Sequence, residues 1–326
     1  MADNGGAFAI KGFNFQKSII SLIAISNYNK SGFLLFVENK DDAELDLKDT
    51  HTFIQIKSEK LSINKLISPK KSKDSSKGNK HSILYKNLQN NHPHARYKIV
   101  TKDDFSDKEK LIKSNENIIF ECPCIYKYSK EQKKLIVEKL AEQGLLESET
   151  LLKLEKSYLY FSPFKDDYKI ALTFLKGVMN EAGIKVDDNK GSIALGELCE
   201  LIDQKSEIII KDESDRNLKN ITSEELRTIF STAESENLKF EALEYFKERL
   251  TFSEKVKIRK ELLLIMSNYK KLKNDVSQTI GFISTEGDIC DTIECLYNEI
   301  KDKFQHPKTL LYALLIDIYA DRLNEM

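Results

Sequence analysis

Two acids, a glutamine and a lysine interrupt a run that otherwise reads as strand. They are Glu38, Asp42, Gln55 and Lys57, within FLLFVENKDDAELDLKDTHTFIQIKSEK (33–60). Side chains alternate across a strand, so Phe53, Gln55 and Lys57 share one face, and Ile54 and Ile56 the other. Adjacent strands lie about 4.8 Å apart, so one face can bring Asp42 and Gln55 to a common ion, with Lys57 one strand step further. Mg2+ is a hard cation held by one or two carboxylates plus waters and phosphates. Water on such an ion has a lowered pKa and can displace a phosphodiester oxygen in line. A lysine on a strand there is poorly solvated and easily deprotonated, and it can hold a water or a phosphate. Taken singly, each residue has a plainer reading. A strand lysine snorkels at an edge, an acid after Asn-Lys-Asp forms a turn, and Glu38 ends a strand.

The elements that must position these residues follow from periodicity. GFNFQKSIISLIAISNY (12–28) is apolar on most sides and predicts a buried first helix. Gln16 shares a stripe with Phe13, Ile20 and Ile23, and must find a partner there or cost about 1–3 kcal/mol. GFLLFVE predicts a strand, Asn39-Lys40-Asp41 a turn, DAELDL (42–47) a second strand and THTFIQIKS (50–58) a third. HSILYKNLQNN predicts a helix, ARYKIVT (95–101) a strand, and ENIIFECP (116–123) a further strand. From about residue 130 the spacing turns helical, and TSEE (222–225) has the form of a capping box between Thr222 and Glu225.

At 326 residues the chain can bury a full core and form two domains. Only 5 Pro and 12 Gly occur, which excludes a turn-rich all-β fold and favours helix. No apolar run reaches the roughly 20 residues of a membrane span, and the N-terminus lacks a signal-peptide layout. The five cysteines, Cys122, Cys124, Cys199, Cys290 and Cys295, are scattered, which suggests free thiols in a reducing cytoplasm. Cys122-Pro-Cys124 has no second ligand pair of zinc spacing. Net charge is -1, but residues 61–100 hold nine Lys/Arg against the single acid Asp74. A local positive block on an otherwise acidic chain suits a phosphate backbone.

As a set, Gly-x-x-x-Gln, Glu-x-x-x-Asp and Gln-x-Lys resemble the PD-(D/E)xK nuclease superfamily, whose core runs helix, three strands, helix, strand. More narrowly, GFNFQK…FVENKDDAELD…THTFIQIKSEK is similar to the double-stranded DNA endonuclease domain at the N-terminus of effectors in cyclic-nucleotide antiphage signalling. The same nuclease type forms a subunit of Lamassu-type defence systems. The resemblance spans residues 8–101. It implies an α+β fold, with a PD-(D/E)xK restriction-endonuclease-like core (αβββαβ) in residues 1–160. An all-α oligomerisation or partner-docking domain is expected over 161–326.

By position, the resemblance makes Asp42 the central metal ligand, Gln55 the ligand in a place often held by Glu, and Lys57 the catalytic lysine. Glu38 completes the ligand set, and Gln16 completes or orients the site. Asp41 leaves the acidic ligand open by one residue. The implied cofactor is Mg2+, with Mn2+ as substitute. The implied partners are double-stranded DNA, further copies of the chain as a dimer or tetramer, and an SMC-like ATPase with an accessory subunit, with no membrane and a cytoplasmic location. Lys65, Lys70, Lys71, Lys73, Lys77 and Lys80 would hold the DNA backbone without reading sequence. The expected activity is metal-dependent, largely sequence-independent cleavage of DNA in antiphage or anti-plasmid defence, switched on by release or self-assembly. The rival readings are a non-catalytic helical adaptor with a degenerate nuclease-like fold, and an RNase using the same metal site.

Overall fold

The structure, a computed structural model, describes residues 5–69, 81–116, 119–165, 167–184, 186, 188–246, 249–281 and 288–325. It divides into two units, Met1–Arg227 and Thr228–Met326. The first opens with α1 (Gly5–Asn27), the hairpin β1 (Leu34–Val37) and β2 (Ala43–Leu47), and β3 (Thr50–Lys57). Next come α2 (Ile63–Ile67), α3 (Ile83–Leu88), β4 (Ala95–Thr101), β5 (Ile112–Ser114) and β6 (Ile125–Lys127). Then follow α4 (Lys130–Ala141), α5 (Glu147–Glu155), β7 (Ser157–Phe161), α6 (Tyr168–Glu181) and α7 (Asp188–Glu207). A 3-10 turn (Glu213–Lys219) leads into β8 (Asn220–Thr222) and α8 (Ser223–Tyr245).

The strands form a single sheet in the order β5-β6-β7-β4-β3-β2-β1-β8. β4 runs parallel to both β3 and β7, and the other pairings are antiparallel. A strand flanked by parallel neighbours is buried on both faces and so reads as unbroken hydrophobicity. β4 is such a strand, and β7, between parallel β4 and antiparallel β6, is interior in the same way: all of Ser157–Phe161 is buried, and helical spacing on either side hid it in the sequence. On one face Phe53, Tyr97, Ile99, Leu159 and Phe161 pack with Leu66, Leu84, Leu88, Ile136 and Leu140 from α2, α3 and α4. On the other, α1 lies against β3 and packs with α6 and α7.

α1 is buried from Ser18 to Ala24 as its sequence predicts, but Phe13 near its start is 40% exposed, with Lys17 Nζ 4.9 Å from its ring centre. The strand expected over 116–123 is absent where the chain is described, at 116 and 119–123. Its apolar residues serve the core as a loop instead. Ile119 is fully buried, its carbonyl accepts from Asn27 Nδ2 at 2.6 Å, and Phe120 meets Tyr160 edge-on. The paired strands β5 and β6 lie to either side of it. The Thr222–Glu225 capping box forms, with Glu225 N donating to Thr222 Oγ1 at 3.1 Å and Thr222 N to Glu225 Oε2 at 2.8 Å. α6 and α7 pack on α1 and β8 pairs with β1, so the first unit runs on to Arg227, past residue 160, where the resemblance ends the nuclease core.

The second unit holds the rest of α8 with α9 (Phe252–Asn268), α10 (Lys270–Ile280), α11 (Ile289–Ile300) and α12 (Lys308–Glu325). α12 is buried on all sides from Leu310 to Ala320, and so forms the axis of this unit. Its buried acid Asp317 is neutralised by Lys239 at 2.7 Å and Lys273 at 2.6 Å, as a buried charge requires. Among the described residues no helix is long and apolar enough to cross a membrane.

Leu159 is fully buried at the centre of the sheet, whereas Leu263 is 71% exposed. Leu159→Ala is therefore expected to cost about 2–5 kcal/mol in urea unfolding, and Leu263→Ala to stay within about 0.5 kcal/mol of the wild type.

Candidate active site

The candidate residues gather at the C-terminal end of β3. Val37 pairs with Ala43, so residues 38–42 form the turn of the β1–β2 hairpin, and this turn carries Glu38, Asp41 and Asp42. Glu38 has φ +50°, and it is the one non-glycine residue with a left-handed backbone among those described. Such a residue is disfavoured by of order 1–3 kcal/mol and persists only where its surroundings hold it. Glu38 N donates to Asp42 O at 3.1 Å, which closes the turn.

Asp42 reaches to the end of β3. Its Oδ2 accepts from Ile56 N at 2.6 Å and from Lys57 Nζ at 2.6 Å. Glu38 Oε1 accepts from Gln16 Nε2, so the buried helix supplies an orienting amide. α1 comes close enough for this because it has no side chain at Gly12, where a Cβ would lie 3.2 Å from Ser58 Oγ. Gln55 Nε2 donates to Asp41 Oδ1. Asp41 Oδ2 also accepts from Asn87 Nδ2 at 2.6 Å and Asn90 Nδ2 at 3.4 Å. The structure thus brings Gln16, Glu38, Asp42, Gln55 and Lys57 to one place. It gives Gln55 to Asp41, where the sequence had set it opposite Asp42. Register alone, Ala43 opposite Ile54, would carry Asp42 opposite Gln55, but the ladder ends at Ala43 and the carboxylate of Asp42 turns along β3 towards Ile56 and Lys57, which leaves Gln55 to Asp41.

The acids differ in protonation. Burial raises the Glu38 carboxyl, the neighbouring Asp42 carboxylate raises it further, and the Gln16 hydrogen bond opposes both. Burial pushes Asp41 up to about 7, against the hydrogen bonds of Gln55 and Asn87 and with the repulsion of Asp42. Like charge crowded into one turn is what a bound cation would relieve. The free oxygens of Glu38 and Asp42 can serve as ligands, and Gln55, whose amide nitrogen is spent on Asp41, can offer only Oε1. Among the described residues no three His, Cys, Asp or Glu side chains converge on a metal position. Two carboxylates and an amide oxygen are hard donors of the kind Mg2+ or Mn2+ takes, with water and phosphate filling the other positions.

Of the expected DNA contacts, Lys65 is exposed on α2, its Nζ 2.9 Å from Lys60 O and 3.5 Å from Glu59. Lys70, Lys71, Lys73, Lys77 and Lys80 lie outside the described residues. None of the five cysteines is in a disulfide, and Cys122 Sγ donates to Phe161 O at 3.0 Å.

Several residues the sequence did not single out support the turn. Asn87 and Asn90 lie in KNLQNN and passed there as ordinary helix-end residues. Glu44 is fully buried on β2. Its Oε1 accepts from Asn39 Nδ2 at 2.7 Å and Lys40 N at 2.8 Å, and its Oε2 lies 3.2 Å from His51 Nε2. Burial opposes the charge on Glu44, but His51, Lys40 N and Arg216 prevail and lower its pKa. Burial likewise acts to lower the pKa of His51, and Asp46 and Glu44 outweigh it and raise the value. The signal was present in the alternation, which puts Glu44 and Asp46 on the face of β2 that opposes His51 and Phe53.

The family described as Cap4, dsDNA endonuclease domain, matches residues 4–161. A curated relative, the Lamassu protein LmuA of a Bacillus species (strain NIO-1130), is 34% identical over 329 aligned positions, covering 98% of this chain and 98% of that protein. A solved structure of the Moraxella osloensis Cap4 SAVED/CARF-domain containing receptor aligns at a TM-score of 0.37 and 11% identity, over 69% of this chain. This chain spans about half of that receptor, 48% of its length.

Asp41 binds its proton more tightly in the fold than in the unfolded chain, so metal-free stability is expected to fall as pH rises from about 4 to about 7. Urea unfolding in EDTA at pH 5 and pH 8 should show this loss, on the order of 1–4 kcal/mol. Asp41→Asn should remove most of it.

Proposed function

The chain belongs to the family of the Lamassu protein LmuA, and from that premise we propose that it is a Mg2+-dependent double-stranded DNA endonuclease of bacterial antiphage defence with a PD-(D/E)xK core. The observation that carries this reading is the contact of Lys57 Nζ with Asp42 Oδ2 at 2.6 Å, beside Glu38, inside the segment matched by the dsDNA endonuclease domain. A structural lysine would need no such turn. Here the lysine meets an acid that is crowded by a second acid, on a turn held in a disfavoured backbone conformation.

Glu38, Asp42 and Gln55 would hold the ion, which when bound supplies Lewis-acid stabilisation of the phosphate charge and a more acidic water. The rest falls to the chain's own groups. Gln16 holds Glu38 by a hydrogen bond and would so aim the second carboxylate at the ion beside Asp42. Lys57 shares Asp42 Oδ2 with the Ile56 amide and is anchored by it. Its ammonium would reach the scissile phosphate and offset the charge that builds on its oxygens during displacement. Asp41, held by three amides, keeps Gln55 fixed and its oxygen turned away from Asp41. The lysines from Lys65 to Lys80 would grip the DNA backbone, and lysine–phosphate contacts position without specifying, which supports cleavage largely independent of sequence.

The kinship with a Lamassu protein supports a place in a multi-subunit complex. Its other members would be an SMC-like ATPase and an accessory subunit, and release or self-association of the nuclease would switch cleavage on. Two-strand cleavage calls for two sites, hence a dimer or tetramer in the active form.

The test is cleavage of linear and circular double-stranded DNA over a wide range of protein concentration, with Mg2+ or EDTA. The wild type is expected to cut only with the metal, and Lys57→Ala and Asp42→Asn to lose about 10²–10⁴-fold. Cleavage by Lys57→Ala at the wild-type rate would remove the site assignment, and metal-dependent cutting of RNA alone would replace the substrate. Replacing the six lysines from Lys65 to Lys80 by Gln should weaken DNA binding for all sequences alike. It should also lower the salt slope by about 0.9 for each phosphate no longer neutralised.

A further inference from the structure

The turn that bears the acids is held from outside the matched nuclease segment. Residues 213–222 follow that segment, which ends at 161, yet two of their side chains are seated on the hairpin. Lys219, buried, donates from Nζ to Glu38 O at 2.6 Å, the carbonyl of the one left-handed non-glycine residue among those described. Arg216 donates from Nη2 to Glu44 Oε2 at 3.0 Å and lies 3.9 Å from Asp46 Oδ2, while its guanidinium rests 4.2 Å from the centre of the Phe36 ring. The other oxygen of Glu44 carries Asn39 and the Lys40 amide, the middle of the same turn. β8 then pairs with β1 through Phe36↔Asn220 and Leu34↔Thr222, so the lysine and the arginine are delivered in register with the hairpin.

We propose that Arg216 and Lys219 are positioning residues of the candidate metal site. They clamp residues 38–44 from the 3-10 turn so that Glu38 and Asp42 present their oxygens to one point. The proposal rests on the metal-site reading given above. It makes residues 213–222 part of the nuclease site, although they lie some fifty positions beyond the matched domain. Lys219 braces the backbone of Glu38 while Gln16 sets its side chain, and Arg216 braces Glu44, which in turn fixes Asn39 and Lys40.

Charge and position predict opposite outcomes. Each of Arg216 and Lys219 is a cation near an ion site, so on charge alone its removal would tighten metal binding. If the two act by position, removal loosens it, and partners behind a ligand set typically change metal affinity by about 10–100-fold. The experiment is Mn2+ titration of the full-length, DNA-free protein, followed by the paramagnetic signal of the free ion, for wild type, Lys219→Met, Arg216→Met and Asp42→Asn. Amide hydrogen exchange of each metal-free protein is measured alongside. The expected result is at least about 10-fold weaker Mn2+ binding in both Met variants, with faster exchange confined to residues 38–44 and 213–222. Unchanged or tighter binding in Lys219→Met overturns the proposal, as does faster exchange throughout the first unit. If Arg216→Met does not fold, Lys219→Met carries the test, since its ammonium donates to the turn at the Glu38 carbonyl. Asp42→Asn separates the two readings. If it loses Mn2+ while Lys219→Met binds normally, only the clamp fails. If Asp42→Asn binds as the wild type does, the metal-site reading beneath it fails.

Discussion

Like charge held close together, in a place where water cannot fully screen it, is the constraint on which the first unit depends. Glu38, Asp41 and Asp42 share one hairpin turn, with Glu44 buried directly behind them. Repulsion between carboxylates grows as the effective dielectric falls, so such a turn collapses or protonates unless each acid has its own donors. The donors come from distant parts of the chain: Gln16 from α1, Asn87 and Asn90 from α3 and the residues after it, Ile56 and Lys57 from β3, Lys219 and Arg216 from the 3-10 turn. The layered fold is what brings them together. α1 on one face of the sheet and α3 on the other both meet the end of β3, and the 3-10 turn that leads into β8 on the sheet edge carries the last two cations.

This division of donors also gives neighbouring acids different characters. Asp42 is held by a charged lysine and a backbone amide, while Asp41 is held by neutral amides in a buried pocket that pushes its pKa up to about 7. One residue apart in sequence, the two were interchangeable as ligands. In the fold Asp42 stands with the lysine and Glu38, and Asp41 stands behind Gln55 as its anchor. The spacing of acids, glutamine and lysine was legible because strand alternation fixes which side chains share a face. The pairing of Gln55 with Asp41 was not, because it depends on where β2 begins and therefore on the shape of the turn.

The same limit explains the rest of what the sequence showed and hid. α1, the β1–β3 meander, β4 and the Thr222 cap could be read from local patterns, since each is decided by its own periodicity or capping chemistry. β7 and β8 could not. β7 is an interior strand whose only mark is five buried residues in a row, and β8 is three residues long and exists because β1 offers an open edge. Glu44, Arg216 and Lys219 stayed hidden for a related reason. A buried acid on a short strand looks like surface alternation until the cations that neutralise it are found, and here one lies 172 residues away in the chain.

Two lysines sit within strands in similar sequence, Gln-Ile-Lys57 and Tyr-Lys98-Ile, and only their places in the strands tell them apart. Lys98 lies in the middle of β4 and is fully buried. Its Nζ lacks a hydrogen-bond acceptor, rests 3.5 Å from the centre of the Tyr158 ring and stands 4.0 Å from Glu116. Burial drives its pKa well below the ordinary lysine value. Such a group is satisfied by an aromatic face and a nearby acid, and no phosphate can reach it. Lys57 is the last residue of β3, half-buried, with Asp42 as its acid and solvent beyond. The end of a strand flanked by a parallel neighbour leaves room for a ligand in a way its middle does not, and that position, more than the residue type, leaves Lys57 within reach of solvent where Lys98 is not.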